Sequence, residues 1–122
     1  MREIAEHRDG HGLNDSLIVT CDEMDPNAGG ASHHYTVTTS TGKVVATIQF
    51  QHGPRHEDGS LTGCTDQVLL AIVADRHRCF QAGPYSCREN ALVLTKVQES
   101  LHWLRHRADE RAQRGVLGKN EK

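Results

Sequence analysis

Aromatic side chains are scarce in this chain: five of 122 residues, 4 %, with one tryptophan, and the hydrophobic share is 36 %. A single domain of this length can bury a core, but the composition limits it to a modest one and leaves room for burial against further copies. No apolar run reaches the roughly 20 residues needed to span a bilayer, and no charged start leads into an apolar signal core, so the expectation is a soluble, cytosolic protein. Net positive charge is also missing. With 14 basic and 16 acidic residues the formal charge is −2, which excludes coating of nucleic acid through a broad positive field and makes any phosphate site local. Cys21, Cys64, Cys79 and Cys87 form no CxxC spacing, so free thiols are expected.

What is present begins with alternation. Leu17 to Thr20 reads as a short strand, followed by a polar loop through Asp25, Pro26, Gly29 and Gly30 that is long enough to be functional. Tyr35 to Thr39 and Val44 to Gln51 alternate with period two, and Ser40, Thr41 and Gly42 suit the turn between them. His52 to Gly63 mixes glycine, proline and charge, which excludes regular structure. Thr65 or Asp66 can then cap a helix running to about Gln81.

The second helix carries the most information. Gly83 and Pro84 break the chain, and Ser86 with Glu89 has the spacing of a capping box. Leu94, Val97, Leu101, Leu104 and Ala108 recur at steps of three and four, a seam for another helix, until Gly115 offers a left-handed cap. The expected fold is α+β: a three-stranded antiparallel sheet packed on an antiparallel helical hairpin whose long C-terminal helix dimerises. Residues 1–13 read as a loose arm and 14–122 as one domain, divided into a sheet with loops over 14–63 and a hairpin with its tail over 64–122.

Arg107, Arg111 and Arg114 follow at offsets of four and three, placing three guanidinium groups on one side of this helix. Guanidinium forks match paired phosphate oxygens; the same three residues also fit a solvated helix laced with salt bridges. Phe80 can stack on a base or belong to the core. Asn90 can read a purine edge or sit in the seam as a polar register residue. Asn90 and Arg107 are 17 positions apart, roughly 25 Å along one straight helix, and one chain cannot bring both to one small ligand. A second copy packed antiparallel across the seam, crossing near Gln98 to Leu101, would put Asn90 of one chain beside Arg107 and Arg111 of the other, twice per dimer.

Two other classes fit parts of the pattern. Glu99, His102 and His106, or His33, His34, His52 and His56, offer metal-ligand residue types for a small metal-dependent hydrolase, although HExxH is missing. The arginine-bearing helix could also enter a major groove as a DNA-binding regulator, against which the acidic balance and the Asp109–Glu110 pair weigh.

The elements NDSLIVTCDEMDPNAGGASHHY, IQFQHGP, LLAIVADR, FQAGPYSCRENALVLTKVQESLHWLRHRADER and RGVLG resemble the phage anti-Thoeris sponge family, over about nine-tenths of the chain from Asn14 onward. The hairpin alone resembles the domain shared with phage anti-CBASS cyclic-nucleotide sponges. The resemblance implies a non-enzymatic protein that needs no cofactor or metal and acts in the host cytoplasm, sequestering cyclic ADP-ribose isomers, notably glycocyclic ADP-ribose. It implies stacking of the adenine by Phe80, contact to the nucleotide by Asn90, and a grip on the pyrophosphate by Arg107 with Arg111 across a homodimer. Some family members form hexamers and bind cyclic oligonucleotides, cyclic trinucleotides among them, at separate sites, for which Arg88 is the candidate here. No DNA or membrane partner is implied. Two stretches depart from the family: Lys119 and Asn120 stand where Thr-His is common, and Met1 to Leu13 is unmatched.

Overall fold

Period-two alternation places one face of each strand toward a neighbour, and a computed structural model, describing residues 1–54, 57–119 and 121, carries it into an antiparallel sheet. Its strands are β1 (Arg2–Ile4), β2 (Ile18–Cys21), β3 (His34–Thr38) and β4 (Val44–Gln49), in that spatial order. A short helix α1 (Gly12–Ser16) precedes β2. His56 and Asn120 lie outside the described residues.

The turn between β3 and β4 closes as its residues dictate: Gly42 adopts φ 91° and donates to the Thr39 carbonyl at 3.0 Å, and Thr39 donates to Lys43 at 2.8 Å. The register shifts at Val37/Thr38. Four strands stand where three were expected, because the stretch read as a loose arm supplies β1, paired with β2 through Arg2–Cys21, Glu3–Thr20 and Ile4–Val19. Three residues with two charges carry no apolar alternation, so nothing marked them. Charged residues at a sheet edge also discourage pairing with other chains. The edge is held by polar contacts as well: Arg2 donates to Ser32 Oγ at 3.1 Å, and the buried Ser32 hydroxyl donates to the Asp22 carbonyl at 2.8 Å. Cys21, 2 % exposed, sits at the centre of this arrangement as a free thiol.

The chain forms two compact units, Met1–Cys64 and Thr65–Lys122. The second is a helical hairpin of α2 (Asp66–Gln81) and α3 (Arg88–Gln113), which pack on each other. Thr65 is the N-cap of α2, its hydroxyl accepting from the Val68 amide at 3.3 Å. Ala74, 1 % exposed, is the buried residue of α2. On α3 the residues Asn90, Leu94, Val97, Leu101, Leu104 and Ala108 are half-buried, followed by the fully buried Arg111. These residues form the stripe read as a helix seam, on a helix that already has α2 for a neighbour.

One local expectation is corrected. The N-cap of α3 is Cys87 rather than Ser86; its thiol accepts from the Asn90 amide at 3.4 Å, and its own amide donates to Gln81 Oε1 at 3.0 Å. The Ser86 amide instead closes the inter-helix turn on the Gly83 carbonyl at 3.3 Å. That turn, tightened by Gly83 and Pro84, carries Ser86 one residue outside the helix. At the far end Gly115 takes φ 73°, with Gly115 donating to Ala112 at 3.1 Å and Val116 to Arg111 at 3.0 Å, the paired bonds of a Schellman termination.

Candidate functional site

The inter-helix turn gathers the first group of candidate residues. Phe80, in the last turn of α2, is half-buried with the Arg76 guanidinium carbon 5.1 Å from its ring centroid and the His77 ring edge-on at 5.8 Å. Arg76 therefore covers part of the surface on which a base would stack, held by attraction between the cation and the ring. Asn90, in the first turn of α3, donates from Nδ2 to the Tyr85 carbonyl at 3.2 Å. Its amide thus braces the turn that presents it. Arg88 is exposed and has no hydrogen bond or ion pair among the described residues.

The other end of α3 holds the arginines, and the structure separates three roles that the spacing had merged. Arg107 is exposed and unpaired among the described residues. Arg114 bonds Glu110 through Nε at 2.8 Å, the helical salt bridge that the sequence left open. Arg111 is 6 % exposed and donates to three backbone carbonyls of the segment after the helix: Val116 at 3.0 Å, Lys119 at 2.9 Å, and Glu121. Nothing in the spacing distinguished Arg111 from its neighbours, because its partners come from the fold of the tail.

The histidines do not assemble into a metal centre: among the described residues no group of three or more His, Cys, Asp or Glu is placed to hold an ion. His102 and His106 lie edge-on to either side of Trp103, at 5.5 and 5.8 Å, and Glu99 pairs with Lys96 at 3.8 Å. In the sheet unit the rings of His33 and His52 lie with centroids 4.5 Å apart and planes tilted by 31°. His52 bonds Asp25 at 2.8 Å and His33 bonds the Ala28 carbonyl at 2.9 Å. This joins the loop after β2 to the segment after β4. The sequence reading missed His77 altogether; its Nδ1 is buried without a hydrogen-bond partner, three residues before Phe80. Among the described residues, no helix is long and apolar enough to cross a membrane.

A helical hairpin is also what the comparison with known families returns. The pattern of the family described as Acb2/Tad1, hairpin domain, matches residues 42–108, more than half of the chain. This chain belongs to that family. A relative, Thoeris anti-defense 1 of Bacillus phage SBSphiJ7, is 46 % identical over 94 residues, which cover 77 % of this chain and 65 % of the relative. The match thus spans just under two thirds of the relative's own length. Phe80, Arg88, Asn90 and Arg107 fall inside the family's hairpin span, whereas Arg111 and the tail it binds fall beyond it.

Proposed function

We propose that this protein is a phage anti-defence sponge that blocks Thoeris immunity by binding cyclic ADP-ribose signals, glycocyclic ADP-ribose in particular, without cleaving them. Membership of the hairpin family and the likeness to Thoeris anti-defense 1 support the anti-Thoeris part of this reading. What supports a composite site is the length of α3. Asn90 and Arg107 lie on one continuous helix, Arg88–Gln113, about 25 Å apart, so a site using both ends takes them from two chains.

In this site Phe80 stacks the adenine once Arg76 swings aside, Asn90 contacts the nucleotide through the amide edge not bonded to Tyr85, and Arg107 with Arg111 of the second chain holds the pyrophosphate. The protein works as a homodimer through the long helix, and hexamers build from such dimers. Apolar side chains left open on the hairpin support association with further copies: Trp103 is 59 % exposed and Ile72 56 %. Arg88, open at the start of α3, is the proposed contact for a separate cyclic-trinucleotide site. The proposed place of action is the host cytoplasm.

Sequestration needs no general base and no activated nucleophile, only affinity and enclosure. The test is recovery of ligand. Heat-denaturing a complex formed with glycocyclic ADP-ribose returns the intact compound, identified by its retention time and mass; recovery of a ring-opened product would establish hydrolysis instead.

A further inference from the structure

Arg111 is the only charged side chain that is buried among the described residues, and it has no acid for a partner. Its guanidinium donates from Nη2 to the carbonyls of Val116 and Lys119, at 3.0 and 2.9 Å, and from Nη1 to that of Glu121, while the nearby Glu110 is engaged by Arg114. A guanidinium withdrawn from water ordinarily meets a carboxylate or phosphate, because neutral carbonyls satisfy its protons and leave its charge uncompensated. The three carbonyl oxygens are spread over both edges of the guanidinium, the edges at which a phosphate would be gripped.

The donor count decides what this means for a ligand. A phosphate is gripped by two parallel N–H bonds, taken either from the two terminal nitrogens or from Nε and Nη2. Each of those forks needs an Nη2 proton. Both Nη2 protons are engaged by the tail. With the tail seated, Arg111 has no bidentate edge left for a pyrophosphate.

We propose that the segment after α3 forms a latch in which the carbonyl oxygens of Val116, Lys119 and Glu121 occupy the phosphate subsite of Arg111, and that a phosphate-bearing ligand takes the arginine by displacing it. This rests on the sponge reading for the identity of the natural ligand, but the latch itself concerns only the anion. The latch is lightly built, as a displaceable element has to be. After Gly115 ends α3, a single tight turn with Lys119 donating to Val116 at 3.0 Å and Gly118 at φ 78° folds the tail back, and Leu117 within it is exposed. A latch seated nine times in ten weakens the apparent affinity about tenfold relative to the open site. Anions that cannot use both forks would fail to open it, which favours diphosphate ligands over singly charged ones.

The experiment uses inorganic pyrophosphate and glycocyclic ADP-ribose side by side, with calorimetry for affinity and amide exchange at Lys119 for the latch. Saturating pyrophosphate is expected to speed exchange at Lys119. Gly118→Ala, which penalises the left-handed turn, should bind pyrophosphate roughly fivefold tighter, and a chain ending at Gly115 about tenfold tighter. Arg111→Lys, which keeps the charge but has no fork, should lose the effect of both changes. Pyrophosphate binding with Lys119 exchange unchanged or slowed would overturn the latch, as would weaker binding by both Gly118→Ala and the shortened chain, or no pyrophosphate binding by any variant. Pyrophosphate opening the latch while glycocyclic ADP-ribose binds neither form would sink the sponge reading and leave the latch standing.

Discussion

His52 donates from Nε2 to the Asp25 carboxylate at 2.8 Å, and through that bond the loop after β2 is tied to the segment after β4. The carboxylate can only accept, so the proton sits on Nε2. The His52 bond, followed by the Asn27 amide, holds the Asp25 carboxyl below the usual carboxylate range. Asp22 is lowered as well, chiefly by the amide of His33, which donates to it at 2.9 Å.

A group whose folded pKa is depressed stabilises the fold above its unfolded value, near 3.9 for aspartate, and loses that contribution as pH falls through the folded value. The sheet unit should therefore hold its loop contacts at neutral pH and shed them below about pH 4. Asp25→Asn should lower the denaturation midpoint at pH 7 and match the parent chain in acid. A gap between the two that stays constant from neutral pH into acid would show that the charge on Asp25 contributes nothing.

The proposed two-chain site can be tested by complementation. Asn90→Ala and Arg107→Ala homodimers should each lose most ligand affinity, about tenfold to a hundredfold for one charge-assisted or purine-edge contact. Mixing the two chains restores one intact site per heterodimer, while the other site carries both lesions. Calorimetry of the mixture should then report parental affinity at half the parental stoichiometry within the heterodimer fraction. If no restored binding appears, each site lies within one chain.

Gly63 sits against backbone. A Cβ built there would press into the Gln49 carbonyl and the Phe50 carbonyl group, far inside contact distance, and neither can move without disturbing the bridge between Phe50 and Cys64. Gly63→Ala should cost about 2–3 kcal/mol, read as a lower midpoint in urea. Gly59, at φ 82° but with nothing near its Cβ, should cost less on the same substitution.

His77 makes a prediction with two arms. Its buried, unpartnered Nδ1 penalises the hairpin, so His77→Leu should raise stability by about 1 kcal/mol in chemical denaturation. If ligand affinity falls together with that gain, the unpaired nitrogen is kept for the ligand beside Phe80; if affinity is unchanged, it is a packing residue alone.

Much of the fold was legible because it depends on neighbours along the chain. The strands from His34 and Val44 follow from alternation, that from Ile18 from a short β-branched apolar run, Gly42 and Gly115 from the left-handed φ that their turns require, and α2 from Thr65 and its apolar centre. β1 was not legible, since an edge strand of three polar-biased residues draws its hydrogen bonds from β2 and leaves no period of its own. Cys87 replaced Ser86 as the cap for a similar reason: the geometry of the turn, and not the stronger acceptor, fixes which residue stands at the helix entrance.

The site divides along the same line. By itself the sequence determined that Asn90 and Arg107 lie on one helix too far apart to share a small ligand, because rise per residue is a property of the backbone. Only the tertiary structure decided what each arginine does. Arg107, Arg111 and Arg114 are alike in sequence and nearly alike in spacing, yet one is open, one is buried under tail carbonyls and one is paired to Glu110. The cause is the left-handed turn at Gly115, which sends the tail back over a single face of α3 and brings three carbonyl oxygens to one guanidinium.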